Sequence, residues 1–559
     1  MKGTRVEVIR DIEAWVNDLS GAQLLWLAGQ AGTGKSSIAW SICSLAKADA
    51  KIVLGGSFFF SRSTGEATQR DVRCVIPTLA VLLARQSSKL SKALDEELAR
   101  DPDILHKQVA TQVEQLLFKP LHALDNPPVP ILFVIDALDE CGDHPNANGA
   151  ADNSESHRIV SEMLETLIAV TRYPVKLPVK FLVTSRPEAH IRDNPVWDKL
   201  SCMVMRLHAL KKAQVTEDIR LYISTKLLAA PRLRVQFTDE HVDMLTRLSD
   251  GLFIVAATAL KYTLFDGIDG AVERFETLLH DSRQKLSEGA AAPLDSMYAL
   301  ILDEAARVEE SKTNKLSALL RMIAALISAR MVLSVAALAD ILELPRWHLR
   351  ARLSRLHAVI HVPEDDGEPG LCTLHASFGD YLLGRAARHL RISSTLGHEV
   401  LAHACILRMK QKDLCFNISR SRSSFEPNPA TSPDWLSLPL IYACLHWAHH
   451  IYSASKRAAY DAEIGQSFRP KFLFWLEVLS VLGKVGLASG ILRIAGASVS
   501  HIDFKCHPST RLHSNRSTSR LFRNSCATPT HLLHRRTRPL ARLRLTSTSL
   551  HSRSWQRTR

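Results

Sequence analysis

The sequence predicts an α/β chain: a parallel sheet flanked by helices, then mostly helical domains, then a basic tail without a fold. Three observations lead there. Short apolar runs recur between residues 24 and 207, separated by helical segments. A glycine-rich loop joins the first of these runs to a helix-compatible stretch. Past about residue 210, strand signals nearly vanish and helical periodicity takes over.

Taken in order, residues 5–20 show helical spacing, with Val8, Ile12 and Trp15 on one side. Five β-type runs follow: Leu24–Ala28, Ile52–Leu54 with Ser57–Phe60, Ile131–Ile135, Lys180–Thr184 and Met203–Leu207. The first, third and fourth are almost wholly apolar, which implies strands covered on both faces, as in a parallel sheet. His144–His157, rich in Asn, Asp and Ser, reads as a surface loop. Helices are expected over Asp218–Leu228, His241–Ser249, Leu252–Thr263 and Leu300–Val308. Helix-like Val335–Leu342 and Arg350–Leu356 precede Val359–Val362 and Leu371–Leu374, which flank the turn Asp365–Gly370. Two helices followed by a hairpin form a winged-helix pattern. Residues 395–500 are helical again, with a Ser/Pro/Asn-rich break at 419–434. No internal repeat of fixed period occurs. The expected division is a leading helix at 1–20, a sheet domain at 21–208, a helical domain at 209–290, a winged-helix-like domain at 291–392, an α-helical region at 393–500 and a disordered tail at 501–559.

The net charge of +13 is unevenly placed. After residue 500 thirteen Lys and Arg face the single acidic residue Asp503, so the rest of the chain is close to neutral. That tail lacks apolar periodicity and is expected to be disordered, with at most non-specific attraction to RNA or acidic surfaces. A misassigned reading frame explains it equally well. The ten cysteines are scattered without a C-x-x-C, which points to buried thiols in a reducing, cytoplasmic setting rather than disulfides or a zinc site. No signal peptide is expected. The two longest apolar stretches, 322–339 and 472–492, carry Arg330, and Glu477 with Lys484, so buried helices rather than membrane spans are expected.

Gly29-Gln30-Ala31-Gly32-Thr33-Gly34-Lys35-Ser36 is a complete G-x-x-x-x-G-K-[ST] phosphate-binding loop between an apolar run and a helical stretch. Its glycines let main-chain N–H groups close on phosphate oxygens, and the helix start adds partial positive charge. Lys35 is placed to reach the outer phosphates, Ser36 to ligate Mg²⁺, and Ser37 lies in the same helical turn. The fold class is therefore an α/β P-loop NTPase, and the expected ligand is a purine nucleotide with Mg²⁺. Nothing in these residues fixes the base, so ATP and GTP both stand.

Such a loop needs a carboxylate at the end of a neighbouring strand to complete the metal shell. Ile131–Asp136 supplies Asp136, and Asp139 and Glu140 follow, either of which is placed to orient or deprotonate the attacking water. The run Thr184-Ser185-Arg186-Pro187 puts an arginine at a strand's carboxyl end, where ligands bind in open α/β sheets. Arg186 is the candidate for sensing the γ-phosphate or offsetting its growing charge.

These elements resemble the NACHT branch of the STAND signal-transduction NTPases, most closely the large fungal set and the related N-terminal domain of nephrocystin 3. The carriers are Leu27–Ser36, Val134–Cys141, Thr184–Glu188, Asp250–Ile254 with Ala256–Ala259, Leu374–Leu382, Tyr442–Ala448 and Phe474–Leu479. The resemblance implies a nucleotide-operated switch. In that family a diphosphate-bound closed form holds the winged-helix domain on the NTPase domain, and exchange for triphosphate opens it toward oligomers or protein partners. It also implies that His375 touches the diphosphate in the closed state. Phe253 stands where many STAND proteins have proline. The effector domain often found upstream and the sensor repeats common downstream have no counterpart here, so a truncated or stand-alone switch is expected. With Arg186 as the single arginine candidate, turnover is expected to be slow. A nucleotide-holding scaffold without turnover is the competing reading.

Overall fold

The computed structural model describes residues 3–498, apart from residues 50, 64–65, 123–128, 143–153, 171–177, 199–201, 229–236, 265–269, 288–291, 308–313, 423–434 and 456–459. The basic tail lies outside the described residues.

Five parallel strands form one sheet: β1 (Leu24–Ala28), β2 (Val53–Phe59), β3 (Ile131–Asp136), β4 (Val179–Ser185) and β5 (Cys202–Arg206), in the order β2-β3-β4-β1-β5. Every residue of β1, β3 and β4 is buried, as their continuous apolar runs require. Alternation divides the sheet into two faces. Trp26, Phe133, Phe181 and Val183 join a core with Leu79, Leu116 and Leu164. Leu25, Leu27, Leu132, Val134 and Leu182 pack with α1 (Val6–Asn17) and α2 (Lys35–Ala48). Val8, Ile12 and Trp15 of α1 are buried there, as their spacing predicts. Each such buried side chain contributes about 1.5–3 kcal/mol, which makes the sheet a rigid base for its strand ends.

Two expectations need correction. Asp136 does not come from the strand next to β1: β4 lies between β1 and β3. Right-handed β-α-β crossovers allow such a skip without any local sequence signal. Within His144–His157, residues 154–157 open the helix Ser154–Val170 rather than ending a loop; residues 144–153 lie outside the described residues.

Beyond β5 the chain is helical. Lys212–Leu228, Asp239–Ser249, Phe253–Thr263, Ala271–Ser287, Pro293–Arg307 and Asn314–Ser328 follow in turn. Val335–Leu342 and Arg346–Ser354 lead to the antiparallel pair β6 (Ile360–His361) and β7 (Cys372–Thr373). The apolar stretch 322–339 is not one helix, because it breaks around Arg330 and restarts where Ser334 caps the next helix through the Ala337 amide. Stretch 472–492 likewise breaks, with Gly483 at φ 67°. Among the described residues no helix is long and apolar enough to cross a membrane. Ser394–Lys410 and Leu438–Ser453 form the main pair of the last helical part.

Candidate functional site

The loop after β1 folds around its glycines. The Gly29 amide donates to Ser185 O (3.2 Å), tying the loop to the end of β4. Gly32 (φ 77°) and Gly34 (φ 93°) occupy the left-handed region that glycine enters without strain. A Cβ on Gly32 would lie 2.0 Å from Ile254 Cγ2, so a side chain is also excluded by packing. Gly34 precedes the first turn of α2, whose amides lack helical partners and favour an anion.

Lys35 is buried, and its Nζ donates to Gly29 O (2.7 Å) and Gln30 O (3.0 Å). Thr33 Oγ1 also donates to Gln30 O (2.9 Å). Burial pushes the lysine amine below its ordinary range, against the pull of Asp139. Ala31 lies in the turn between Gln30 and Gly32, and Ser37 O accepts from Ser41 Oγ (2.8 Å) inside α2.

Asp136, the last residue of β3, is 2% exposed. Thr184 Oγ1 on β4 donates to its Oδ1 (2.5 Å), and the Ser36 hydroxyl bonds to its side chain. Burial raises its carboxyl above the usual range, while Thr184, Ser36 and Lys35 hold it down. A divalent cation fits this donor set: a buried carboxylate against a hydroxyl at the end of a phosphate-type loop, with an ammonium beside them. Two protein oxygens do not make a full shell, and phosphate and water oxygens would supply the rest. Ala137 then turns the chain at φ 55°, its amide anchored on Thr184 Oγ1 (3.0 Å). That left-handed alanine sets the acidic turn on its course.

Asp139 is equally buried. Its Oδ1 accepts the Arg186 amide (2.8 Å) and its Oδ2 pairs with Arg186 Nε (3.1 Å). Arg186 Nη1 continues to Asp380 Oδ2 (2.6 Å). Burial pulls the guanidinium down, yet Asp380, Asp139 and Glu140 outweigh it and the net shift is upward. Glu140 has its carboxyl pushed up to about 7, by burial first and by Asp139 second. The Arg62 amide donates to its Oε2 (2.9 Å).

The sequence-predicted residues of the loop, the acidic turn and the β4 end thus converge; Lys35 feels Asp139, Arg186, Asp136 and Glu140 together. His375 lies one step removed. It begins the helix Ala376–Asp380, where its Nδ1 accepts the Ser377 amide (3.1 Å) and bonds Ser377 Oγ (2.6 Å).

Sequence reasoning missed three contributors. Arg62 closes the acidic turn, its Nη2 donating to Asp139 O (2.6 Å); its position just past the run Phe58–Phe60 is the signal that was available. Asp380 carried no sign of its partner 194 positions away. Arg5, 5% exposed, donates through Nη2 to Thr33 O (3.0 Å) and stacks over Phe253 (5.2 Å), a contact that only the fold creates.

Residues 4–186 match the family model described as nephrocystin 3, N-terminal. No curated protein matches the chain. Among solved structures, the chain is similar to a Signal Transduction ATPase with Numerous Domains with a tetratricopeptide repeat sensor from Pyrococcus horikoshii, at 10% identity and TM-score 0.36, covering 88% of this chain and 57% of that one. The chain therefore spans little more than half of that protein's length. It is also similar to Cdc6p from Pyrobaculum aerophilum (10% identity, TM-score 0.28, 72% of this chain and 95% of that one) and to a chain of Drosophila ORC bound to DNA (11%, 0.28, 69% and 97%). The matched residues 4–186 hold the phosphate-type loop, the acidic strand end and four of the five strands of the parallel sheet, the elements of a P-loop NTPase-like fold.

Proposed function

We propose that this chain is a NACHT-type signalling switch that binds ATP, or GTP, with Mg²⁺ and hydrolyses it slowly. In this reading residues 21–208 form the NTPase domain, 209–290 a helical domain, 291–392 a winged-helix-like domain and 393–500 a helical region. The observation that carries it is the position of Arg186, bridging Asp139 in the nucleotide site and Asp380 in the winged-helix-like part. One guanidinium serves both the triphosphate site and the closed domain arrangement, so occupying it with a γ-phosphate weakens the hold on Asp380.

Gly29 to Ser37 cradle the phosphates, Lys35 leaves its two carbonyls for the outer phosphates, and Ser36 and Asp136 hold Mg²⁺. The metal, when bound, neutralises phosphate charge. Asp139 and Glu140 orient or deprotonate the attacking water. His375, at the start of the helix that ends in Asp380, contacts the diphosphate in the closed state. Release of that helix exposes surfaces for self-association or a protein partner. The setting is cytoplasmic, in keeping with the eight free cysteines among the described residues. The competing reading, a scaffold that holds nucleotide without turnover, is favoured by the engagement of both Arg186 and Glu140 with protein groups.

The test is to identify the nucleotide that co-purifies with the chain, then compare single-turnover hydrolysis of wild type with Glu140→Gln and Asp139→Asn. Slower hydrolysis by either variant, with binding retained, supports the switch enzyme. Equal inertness of all three, with binding abolished by Lys35→Ala, leaves the scaffold.

A further inference from the structure

The segment between β2 and the first helix after it does more than close the acidic turn. Arg62 and Arg70 are 7% and 6% exposed, which is rare for arginine without a task. The Arg62 amide donates to Glu140 Oε2 (2.9 Å), and its Nη2 to Asp139 O (2.6 Å). Arg70 Nη2 is shared between Arg62 O (3.1 Å) and Ala329 O (3.2 Å), the latter just past the C-terminus of the helix Asn314–Ser328. A cation is favoured at that end by the helix dipole. A second bond joins the same segments, from the Ala67 amide to Arg330 O (3.3 Å).

The chain of contacts continues. The Arg330 amide donates to the Tyr442 hydroxyl (3.3 Å), and Arg330 Nη1 bonds His449 Nε2 (2.7 Å). Tyr442 OH in turn bonds His450 Nε2 (2.8 Å), and both residues are fully buried. Residues 329–330 are therefore gripped from the nucleotide side by Ala67 and Arg70 and from the last helical part by Tyr442 and His449. At the other end of the path, Glu140 commits Oε2 to the Arg62 amide, and that bond fixes the direction of the carboxylate a base would turn toward water.

We propose that Arg62 and Arg70 form a clasp that holds Glu140 away from the reacting water while residues 329–330 are docked, so that undocking of this segment is a second requirement for turnover beside release of Asp380. This rests on the reading of Glu140 as the base. Arg70 is a positioning residue: it acts on Glu140 through Arg62.

The test uses the full chain with Arg70→Met, following hydrogen exchange at the Arg62 and Ala67 amides together with single-turnover hydrolysis and MgATP affinity. Both amides are expected to open together, and hydrolysis to rise about tenfold, the scale of one hydrogen bond to a charged group, with affinity unchanged. Arg70→Lys, which keeps the charge, is expected to restore part of the protection. An Arg62 amide that stays protected while Ala67 opens overturns the clasp, as does a rate at or below wild type. Should Arg70→Met fail to fold, Tyr442→Phe loosens the same segment from the far side and carries the same expectations. If wild type and Glu140→Gln prove equally inert, the hydrolysis reading fails, and the paired opening of the two amides alone decides the clasp.

Discussion

Arg186 and Asp380, 194 positions apart in the chain, meet at 2.6 Å, and the same guanidinium holds Asp139 at 3.1 Å. Neither partner is open to water to any large extent: the side chains of Arg186 and Asp380 are 17% and 16% exposed. Their pairing joins the end of β4 to the short helix after β7, so one ion pair ties the strand ends of the sheet to the later helical part.

Asp380→Asn removes the charge with little change of shape. A hydrogen bond to a charged group contributes about 1.5–3 kcal/mol, roughly ten- to a hundredfold in the open–closed equilibrium. With MgATP the variant is expected to expand in small-angle scattering and to release diphosphate faster than wild type. An unchanged radius and release rate would remove the ion pair from the mechanism. Arg186→Ala should be worse for stability, because it strands two carboxylates, one of them nearly buried.

Glu140 yields a pH signature. Its ordinary value of 4.5 rises to about 7 through burial and the neighbouring Asp139, opposed by the Arg62 amide. As a base it must be ionised, so hydrolysis is expected to gain rate as pH rises through about 7, with this acid limb lost in Glu140→Gln. The effect on folding has the opposite sense. A raised carboxyl favours the protonated folded state, so its contribution is present below 4.5 and fades as pH climbs through 7. A pH profile flat from 5 to 8 (about the range where most folds hold) would sink the assignment.

Legibility followed the range of the interactions. The phosphate loop, Asp136 and the five strands are written in contiguous residues, where glycine spacing and apolar runs report local backbone needs directly. Strand order is not local: nothing in Ile131–Asp136 states that β4 intervenes before β1. Asp380 and Arg5 were opaque for a related reason, since each acts through a partner that folding alone brings near, whereas Arg62 was marked only by its place just past a strand. The break at Arg330 was half legible. The charge marked it, but its use as a junction between Ala67 and Tyr442 did not show.

Lys180 offers a test of the scaffold alone. It is the second residue of β4, 1% exposed, with Nζ donating to Asp18 O (2.6 Å) and Ala22 O (2.7 Å) while sitting 5.4 Å above the Trp15 ring. It thereby satisfies carbonyls where α1 ends, far from the phosphate loop's end of the sheet. Lys180→Met fills the space but removes two hydrogen bonds from a charged donor, while Ala22 O keeps the Trp15 indole N–H (2.7 Å) and Asp18 O the Gly21 amide (3.3 Å), so the loss is about 1–3 kcal/mol. A fall of several degrees in melting temperature is expected, with nucleotide affinity intact. Lost affinity at full stability would show that this end of the sheet is coupled to the loop.

The phosphate loop is also in contact with the helix Phe253–Thr263, and two glycines separate that contact from plain backbone strain. Gly32 and Gly34 both have positive φ, so alanine at either is expected to cost about 1–3 kcal/mol from conformation alone. Their surroundings differ. At Gly32 a Cβ meets Ile254 Cγ2 at 2.0 Å, and the Ile254 amide donates to Gly32 O (3.3 Å). At Gly34 the nearest atom is Phe253 Cδ2 at 3.9 Å, an ordinary contact. Gly32→Ala must therefore push the helix away as well as strain the loop, and Gly34→Ala must only strain it. Adding Ile254→Ala is expected to recover about 1–3 kcal/mol of the Gly32→Ala loss and none of the Gly34→Ala loss, measured by urea unfolding of both double-mutant cycles. If the Gly32→Ala and Ile254→Ala effects simply add, the loop does not bear on this helix. If they couple, the loop and this helix bear on each other by direct packing, and a change at Gly32 is expected to move Ile254.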